Sequence, residues 1–231
     1  MLKKIIKKFL WRYNYDISKI HFNFDFDDLL TQLSTHDKNE LFKDYGPINQ
    51  DGTYSVPEKY INDIDKLITL GVGPNFNFER EISKKNINIT MFDASVTFNE
   101  KIDNINFVQK FVRPFETKDS IGINEVLKES IFKEGFKKIM LKMDIEGDEY
   151  SNLLAIEEGL FKYINILIIE FHYLNRFVDK SFNREAIYAI KRLLKYFRPI
   201  KSKKNTISSI YDVKNINVPK YLEVTLINKL I

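Results

Sequence analysis

The stretch 66–95 constrains the fold most, because it places two apolar runs on either side of a glycine-containing turn. The first run, residues 67–70, is interrupted at Gly71 and Gly73, and the second occupies residues 87–92 after a short helical pattern. Apolar runs of this length bounded by turn residues are typical of buried strands. The stretch therefore predicts a strand, a tight turn, a short helix and a second strand.

The turn and the residue after the second strand suggest a ligand. Glycine has no Cβ, so a ligand can lie directly against the backbone at such a turn. Asp93 follows the second strand, 22 positions after Gly71, an offset at which a carboxylate can accept hydrogen bonds from both ribose hydroxyls. Phe76 stands where a third glycine would accommodate a pyrophosphate, which favours a ligand with one nucleoside and no phosphate, such as S-adenosylmethionine. An ordinary glycine turn in an α/β sheet remains the alternative.

Length and charge limit the other classes of function. The chain has 231 residues, enough for one medium domain with an appendage, and it has no cysteine. Structural disulfides and thiolate metal sites are therefore excluded, and a reducing cytoplasm is compatible with the composition. The net charge of +4 includes +5 from residues 1–13, so the rest of the chain carries −1 and nucleic acid is not an expected partner.

Residues 1–13, MLKKIIKKFLWRY, have the pattern of a basic amphipathic helix. The segment is too short to span a bilayer and lacks the features of a signal peptide. It could lie on an anionic membrane surface, which would give a peripheral location at the inner membrane face. Docking on the protein's own core or on a second copy, as a homo-oligomer, is the more common use of such a helix.

Two domains are predicted from the pattern that follows. Residues 1–44 form an N-terminal helical extension or lid, and residues 45–231 form a Rossmann-like domain. Between them, the loop 51–57 contains Gly52 and Tyr54 and either closes over a bound ligand or simply leads into the first strand.

The remaining chain alternates strands with helices, the pattern of a doubly wound α/β sheet that is mostly parallel. An antiparallel pair joined by a polar loop closes the sheet. The predicted strands are 106–112, 136–143 and 164–171, the helices are 123–134, a segment ending near 161, and 184–197, and the closing pair is 200–210 with 221–227.

Charged residues gather where two of these strands end. Asp144 and Glu146 follow one strand, and Glu170 and His172 end the next, so all four face the edge where ligands bind in such sheets. Asp144 and Glu146, two apart, share a side in extended geometry, and with His172 they could hold a divalent cation such as Mg²⁺. Alternatively, Lys142 pairs with one carboxylate and the other caps the next helix. His172 is either a base for a hydroxyl proton or a structural hydrogen-bonding histidine.

These segments resemble the FkbM family of S-adenosylmethionine-dependent O-methyltransferases. The matching blocks are DGTYSVP at 51–57, GVGPNFNFE at 71–79, FDAS at 92–95, LKMDIEGDE at 141–149, IIEFH at 168–172 and, more weakly, Asn205 with PKYLEVTLI at 219–227. The chain departs from the family at Thr53, where a second glycine is common, and at Lys204, where a histidine often precedes the asparagine.

The resemblance implies a class I methyltransferase fold, S-adenosylmethionine as cofactor and a set of site residues. The implied cofactor contacts are Gly71, Gly73 and Asn75 along the methionine part, Asp93 on the ribose, Ala94 and Ser95 near the adenine, Tyr54 closing the site, and Met143 beside Asp144. Asp144 and Glu146 would lie near the transferred methyl group, with His172 completing the catalytic set.

The expected activity is O-methylation of a hydroxyl on a sugar or glycan precursor in the cytoplasm, in surface polysaccharide biosynthesis. The partner is then a small-molecule or glycan acceptor. Two alternatives stay open: an NAD-dependent sugar oxidoreductase, since Asp93 would suit that ribose too, and a non-catalytic Rossmann-like partner of a glycosyltransferase.

Overall fold

A seven-stranded sheet forms the centre of the protein, whose computed structural model describes residues 24–47, 52–205, 208–213 and 216–231. The strand order is β10-β13-β9-β8-β3-β4-β5, and all neighbours from β9 to β5 are parallel. Strand β13 is antiparallel to both β9 and β10.

The elements have the following bounds. The strands are β1 (Phe42–Tyr45), β2 (Tyr54–Pro57), β3 (Lys66–Leu70), β4 (Asn88–Phe92), β5 (Ile105–Val108), β6 (Phe111–Arg113), β7 (Ser120–Gly122), β8 (Ile139–Met143), β9 (Ile164–Phe171), β10 (Phe197–Lys204), β11 (Ile210–Val213), β12 (Ile216–Pro219) and β13 (Leu222–Asn228). The α-helices are α1 (Phe24–Leu33), α2 (Glu58–Ile61), α3 (Asn77–Ser83), α4 (Ile123–Lys128), α5 (Glu149–Ala155) and α6 (Lys180–Tyr196), with a π-helical turn at Glu129–Lys133 and 3₁₀ helices at Glu158–Tyr163 and Leu174–Val178.

This arrangement confirms the predicted fold class. The chain starts the sheet in its middle at β3, adds β4 and β5 on one side, and then crosses to β8 and β9 on the other. Strand β13, antiparallel to both of its neighbours, lies between β9 and the edge strand β10 and completes the strand order of class I methyltransferases. The direction of building reverses at β3, and ligands in such sheets bind beyond the carboxyl ends of the strands next to that point.

Both faces of the sheet are buried, which explains why β8 and β9 are almost wholly apolar. One face packs against helices α1, α4, α5 and α6, through residues such as Leu29, Val126 and Ile190. The other packs against α3 and the β1–β2 hairpin, through Val56 and Phe78. The second face also carries the polar side chains that reach the site.

The described part of the predicted N-terminal extension lies at the β10 edge of the sheet. The amide of Ser202 donates to the carbonyl of Thr35 at 2.7 Å, and the amide of Asp37 donates to that of Ile200 at 2.7 Å. Residues 1–23, including the predicted amphipathic helix, lie outside the described residues. Among the helices that are described, none is long and apolar enough to cross a membrane.

Three element predictions need correction. The single strand predicted over 106–112 is two strands, because the amide of Lys110 turns back to donate to the carbonyl of Val108 at 2.8 Å, and β6 then pairs with β7 instead of the main sheet. The helix predicted to end near 161 stops at Ala155, since Ile156 has extended backbone (ψ 125°). The polar loop before the last strand contains the β11–β12 hairpin.

Candidate active site

A cavity of about 560 Å³ opens at the carboxyl ends of β3, β4 and β8, within the usual size range of small-molecule sites. It lies at the edge predicted from the sequence. The predicted residues that line it are Tyr54, Gly71, Gly73, Asn75, Asp93, Ser95, Asp144 and Glu146. Three others do not line it: Ala94, Met143, which is fully buried in β8, and His172, which lies behind Asp144.

The glycine turn needs both of its glycines, for different reasons. Gly71 has φ of 76°, and a side chain there would clash with the carbonyl oxygen of Asp144. Gly73 has φ of 65° and no atom within 4 Å of the position a Cβ would occupy. The first glycine thus lets β3 and β8 approach each other, while the second leaves the backbone open towards the cavity.

The carboxylate of Asp93 holds the glycine turn in place. Its Oδ2 accepts from the amides of Val72 and Gly73, each at 2.9 Å, and its Oδ1 accepts from the amide and hydroxyl of Ser95 at 2.7 and 2.6 Å. Burial alone would raise the pKa of Asp93, but these hydrogen bonds outweigh burial and lower the pKa below its usual value. Asp93 is therefore an ionised acceptor at the cavity wall.

Asp144 is held from the opposite wall by Tyr54, whose hydroxyl donates to Oδ2 at 2.5 Å. Burial, reinforced by the charge of Asp144, raises the pKa of Tyr54 well above its usual value. The phenol therefore stays protonated and keeps donating. Gly52 and Tyr54 of this loop thus line the cavity, and contact of the loop with a ligand stays a prediction.

Behind Asp144, the imidazole of His172 lies between several carboxylates. Its Nδ1 donates to Glu149 Oε1 at 2.8 Å, and its Nε2 is 3.7 Å from Asp144 Oδ1 and 3.6 Å from Glu146 Oε2. Glu146 reaches this position through a turn with φ of 54°, and not through the extended geometry expected from the sequence.

The pKa of His172 bears on its predicted role as a base. Burial acts to lower this pKa, but the hydrogen bond and charge of Glu149, with the charges of Asp144 and Glu170, raise it to about 9. At neutral pH the imidazole is thus protonated, a state that cannot accept a proton from a substrate. Direct base catalysis by His172 stays a prediction, and a protonated imidazole does not favour it.

The alternative predicted for the charged segment, in which Lys142 pairs with Asp144 or Glu146 and the other carboxylate caps the next helix, is wrong. The Nζ of Lys142 donates to Glu79 at 3.3 Å and to the carbonyl of Gly71 at 3.1 Å, so its carboxylate partner is in α3. The amides of Ile145 and Gly147 donate to Glu149, at 3.0 and 3.2 Å. Neither glutamate was singled out from the sequence, because only the folded chain brings them to these partners.

Carboxylates outnumber basic groups at the cavity, where Arg113 Nε lies 3.5 Å from Asp148 and His172 Nε2 lies 3.7 Å from Asp144, both outside the lining. Four carboxylates line the cavity, those of Asp93, Asp144, Glu146 and Asp148, while no lysine or arginine is among the described lining residues. Such a site favours a ligand with positive charge and disfavours a phosphate-bearing one, since like charges repel strongly where water is scarce.

The sequence reading missed the apolar wall of the cavity. This wall combines Phe92, Val96, Phe111, Val112 and Ile145. Phe111 and Val112 come from β6, which the sequence placed in the main sheet. An alternating pattern identifies a strand but not a departure from the sheet, so only the turn at Lys110 reveals this contribution.

The fold and site together define a Rossmann-like domain with a cavity of about 560 Å³ at the carboxyl ends of its strands. No family model and no curated protein matches the sequence.

The solved structures that this chain resembles include an O-methyltransferase, an N-methyltransferase and a fibrillarin/Nop5p complex. An O-methyltransferase from Bacillus cereus in complex with S-adenosylhomocysteine is 9% identical, with 98% of this chain and 100% of that chain covered and a TM-score of 0.39. The N-methyltransferase NodS from Bradyrhizobium japonicum in complex with S-adenosylhomocysteine is 12% identical over 90% and 100% of the two chains, with a TM-score of 0.36. A fibrillarin/Nop5p complex is 11% identical over 72% and 73%, with a TM-score of 0.41. Since all three scores are below 0.5, the fold assignment rests on the strand order of this protein alone.

Proposed function

We propose that the protein is an S-adenosylmethionine-dependent O-methyltransferase that acts on a hydroxyl of a sugar or glycan precursor. The observation that carries the proposal is the cavity with four carboxylates and no basic side chain among its described lining residues, placed against the glycine turn. S-adenosylmethionine bears a sulfonium and an ammonium and has no phosphate, so its charge is complementary to this lining. The pyrophosphate of a dinucleotide would be repelled.

The cofactor is expected to lie along the cavity with its parts against different walls. The methionine part would run beside Gly73 and Asn75, the ribose would reach Asp93, and the adenine would pack on the apolar wall near Ser95 and Phe111. Ala94 and Met143 lie outside the cavity lining, so they would act through the backbone and packing around it.

Asp144 is proposed as the group that receives the acceptor hydroxyl. Its Oδ2 is committed to Tyr54, which leaves Oδ1 to accept a hydrogen bond from the hydroxyl and orient the oxygen towards the methyl group. As the oxygen–methyl bond forms and the sulfur–methyl bond breaks, the hydroxyl proton passes to this carboxylate. Glu146, whose side chain is 78% exposed, offers the proton a route to solvent.

The acceptor is proposed to be neutral. The same carboxylates that suit a sulfonium repel a phosphate close to the methyl group, which fits a sugar hydroxyl better than nucleic acid. Assignment to surface polysaccharide synthesis follows from the resemblance of the DGTY, glycine-turn and Lys-Met-Asp-Ile-Glu-Gly segments to the FkbM family.

Calorimetry with S-adenosylmethionine, S-adenosylhomocysteine and NAD⁺ tests the cofactor, and transfer of a radiolabelled methyl group to a panel of free and nucleotide-linked sugars tests the acceptor. We expect heat with the first two ligands only. Asp144→Asn is expected to reduce methyl transfer by about 100-fold or more. The exposed variant Glu157→Gln, in a surface pair with Lys128, is the matched control and should leave it unchanged. Binding of NAD⁺ alone, or full transfer by Asp144→Asn, would contradict the proposal.

A further inference from the structure

Behind the cavity, three side chains with metal-ligating atoms come together at the ends of β8 and β9. Asp144 follows β8, while Glu170 and His172 are two residues apart at the end of β9 and so lie on the same side of the sheet. One ligand atom from each lies within 4.8 Å of the other two. Adjacent ligands of an octahedral ion are about 3 Å apart and opposed ones about 4.2 Å, so side-chain rotations on the order of 1–2 Å would bring all three onto one ion.

The imidazole of His172 is oriented towards this cluster by a buried partner. Glu149, which is fully buried, fixes Nδ1 at 2.8 Å and is itself held by the amides of Ile145 and Gly147. Nε2 is therefore directed at Asp144 and Glu146. The His172 side chain is only 4% exposed, yet its Nε2 makes no hydrogen bond with the described residues, its nearest carboxylate oxygens lying at 3.6 and 3.7 Å.

This arrangement is the one that metal-ligating histidines adopt. In most metal sites the second ring nitrogen donates to a carboxylate or carbonyl, which fixes the tautomer and presents the other nitrogen to the ion. A similar support exists for Glu170, because Asn205 Nδ2 donates to its Oε1 at 2.7 Å. The cluster thus has an imidazole nitrogen directed at carboxylate oxygens 3.6 and 3.7 Å away, and outer contacts that orient two of its three members.

We propose that Asp144, Glu170 and Nε2 of His172 bind one divalent cation of the first transition row, such as Mn²⁺. Binding of the ion at Nε2 releases the proton that the imidazole carries in its absence. A mixed set of two carboxylates and one imidazole suits such ions better than Ca²⁺, which takes oxygen ligands alone. Glu170 replaces Glu146 in the ligand set predicted from the sequence. We place Glu170 in the ligand set because it is buried, at 4% exposure. The side chain of Glu146 is 78% exposed and would reach the ion only from the solvent side.

The catalytic meaning of this ion rests on the proposed methyl transfer, but its binding does not. When bound, a divalent ion acts as a Lewis acid that lowers the pKa of a hydroxyl held against it. Asp144 joins the two sites, since it both lines the cavity and belongs to the cluster. The Tyr54 contact of Asp144 leaves Oδ1 directed towards His172. With an ion bound, Oδ1 would serve as its ligand and the ion would lower the pKa of the hydroxyl; without the ion, Oδ1 is the proposed acceptor of the hydroxyl proton.

Binding of Mn²⁺ to the purified, chelator-treated full chain provides the test, with free Mn²⁺ followed by electron paramagnetic resonance. We expect one ion per chain, and at least about a tenfold loss of affinity in Glu170→Gln and in His172→Gln. Glu223→Gln is the matched control: Glu223 is a buried carboxylate opposite Glu170 on β13 but outside the cluster, so its variant should bind Mn²⁺ as the wild type does.

A second measurement uses only the wild-type protein, so it does not depend on whether any variant folds. Electron spin echo modulation of bound Mn²⁺ should show coupling to one imidazole nitrogen. The proposal is overturned by absence of that coupling, by no binding at millimolar Mn²⁺, or by equal affinity in Glu170→Gln and Glu223→Gln. A loss in Glu146→Gln without one in Glu170→Gln would overturn it as well. Because these titrations contain no S-adenosyl compound, failure of cofactor binding would contradict the proposed function and leave the metal result intact.

Discussion

At the scale of single residues, Asp93 is proposed to bind a ribose but already accepts four hydrogen bonds within the protein. An ionised carboxylate offers about four acceptor positions, so a ribose hydroxyl must displace one donor. The hydroxyl of Ser95 is the easiest to displace because it rotates about one bond, whereas the amides of Val72 and Gly73 are fixed by the turn.

Asp93→Asn is therefore expected to weaken S-adenosylhomocysteine binding by about tenfold or more, since an amide would face the turn with a donor in place of an acceptor. It should also lower the free energy of unfolding by about 1–3 kcal/mol. Ser95→Ala removes only the displaceable donor and should keep affinity within about threefold. Calorimetry and urea unfolding measure both quantities. An equal loss of affinity in the two variants would show that Ser95 does not give way to the ribose.

Glu223 is a second residue whose environment predicts a measurable effect, here on the pH dependence of stability. Burial, opposed by Lys203 and reinforced by Glu170, raises its pKa to about 8 from a usual value of 4.5. The folded protein therefore holds a proton that the unfolded chain releases between pH 4.5 and 8, and stability falls as pH rises through this window. The penalty is absent below pH 4.5 and complete above pH 8.

Glu223→Gln removes this penalty, because the amide is neutral at every pH and its oxygen can still accept from the Ser55 amide. We expect the variant to match the wild type near pH 4.5 and to exceed it at pH 9 by an amount on the order of a few kcal/mol. Thermal unfolding at both pH values, with a chelator present, gives the comparison. A constant difference across pH would mean that Glu223 is ionised in the folded protein.

At the scale of elements, one buried ion pair joins β8 to α3 next to two residues that line the cavity, Gly71 and Tyr54. Lys142 in β8 and Glu79 in α3 are 2% and 0% exposed, and the same lysine donates to the carbonyl of Gly71 and lies 4.5 Å from the ring centre of Tyr54. Lys142→Met leaves Glu79 buried without its partner, which is expected to lower stability by about 3–5 kcal/mol. Adding Glu79→Gln should restore most of that loss. Urea unfolding of both single variants and the double variant measures the coupling, and additive losses would show that the two side chains are independent.

The sequence predicts elements well where one residue pattern decides them. Strand β9 is apolar except at Asn165 and Glu170, so both its bounds and its central position could be predicted, and the glycine turn follows from the break between two apolar runs. The sequence could not show that β5 and β6 are two strands. They are separated by a backbone turn at Lys110, and this turn does not change the alternation of apolar and polar residues. The sequence also could not predict that Glu79 is buried, since a charged helix residue is normally exposed.

At the scale of the whole molecule, the sequence predicts which strand ends form the site but not which side chains touch one another there. Alternating strands and helices imply a parallel sheet, and a parallel sheet places Gly71, Asp93, Asp144 and His172 at one edge. Which side chains then touch depends on strand order and turn shape. Glu149 and Glu170 acquire their contacts with His172 and Asn205 only because α5 folds back over β9 and because β10 lies two strands away.

The division of the whole molecule into an extension and a main domain at residue 45 leads to the last prediction. Leu29, Leu30 and Leu33 of α1 belong to the same buried cluster as the helices of the main domain, and β1 pairs with β2 across the boundary. None of the described residues 24–47 lines the cavity, and Thr35 and Asp37 hydrogen-bond to β10 at the edge of the sheet. A chain restricted to residues 45–231 would expose that cluster and the β10 edge.

We expect the 45–231 chain to be much less stable or to aggregate. A pair of point variants tests the packing of the extension without deleting it. Leu33 is 1% exposed, so Leu33→Ala should lower the free energy of unfolding by about 2–5 kcal/mol, whereas Leu41, at 74% exposure, should tolerate alanine within about 0.5 kcal/mol. For a chain of this size the first change corresponds to a melting temperature lower by about 4–20 °C. Unchanged melting of both Leu33→Ala and the 45–231 chain would mean that the main domain folds without α1, and the extension would then be free to act as the lid predicted from the sequence.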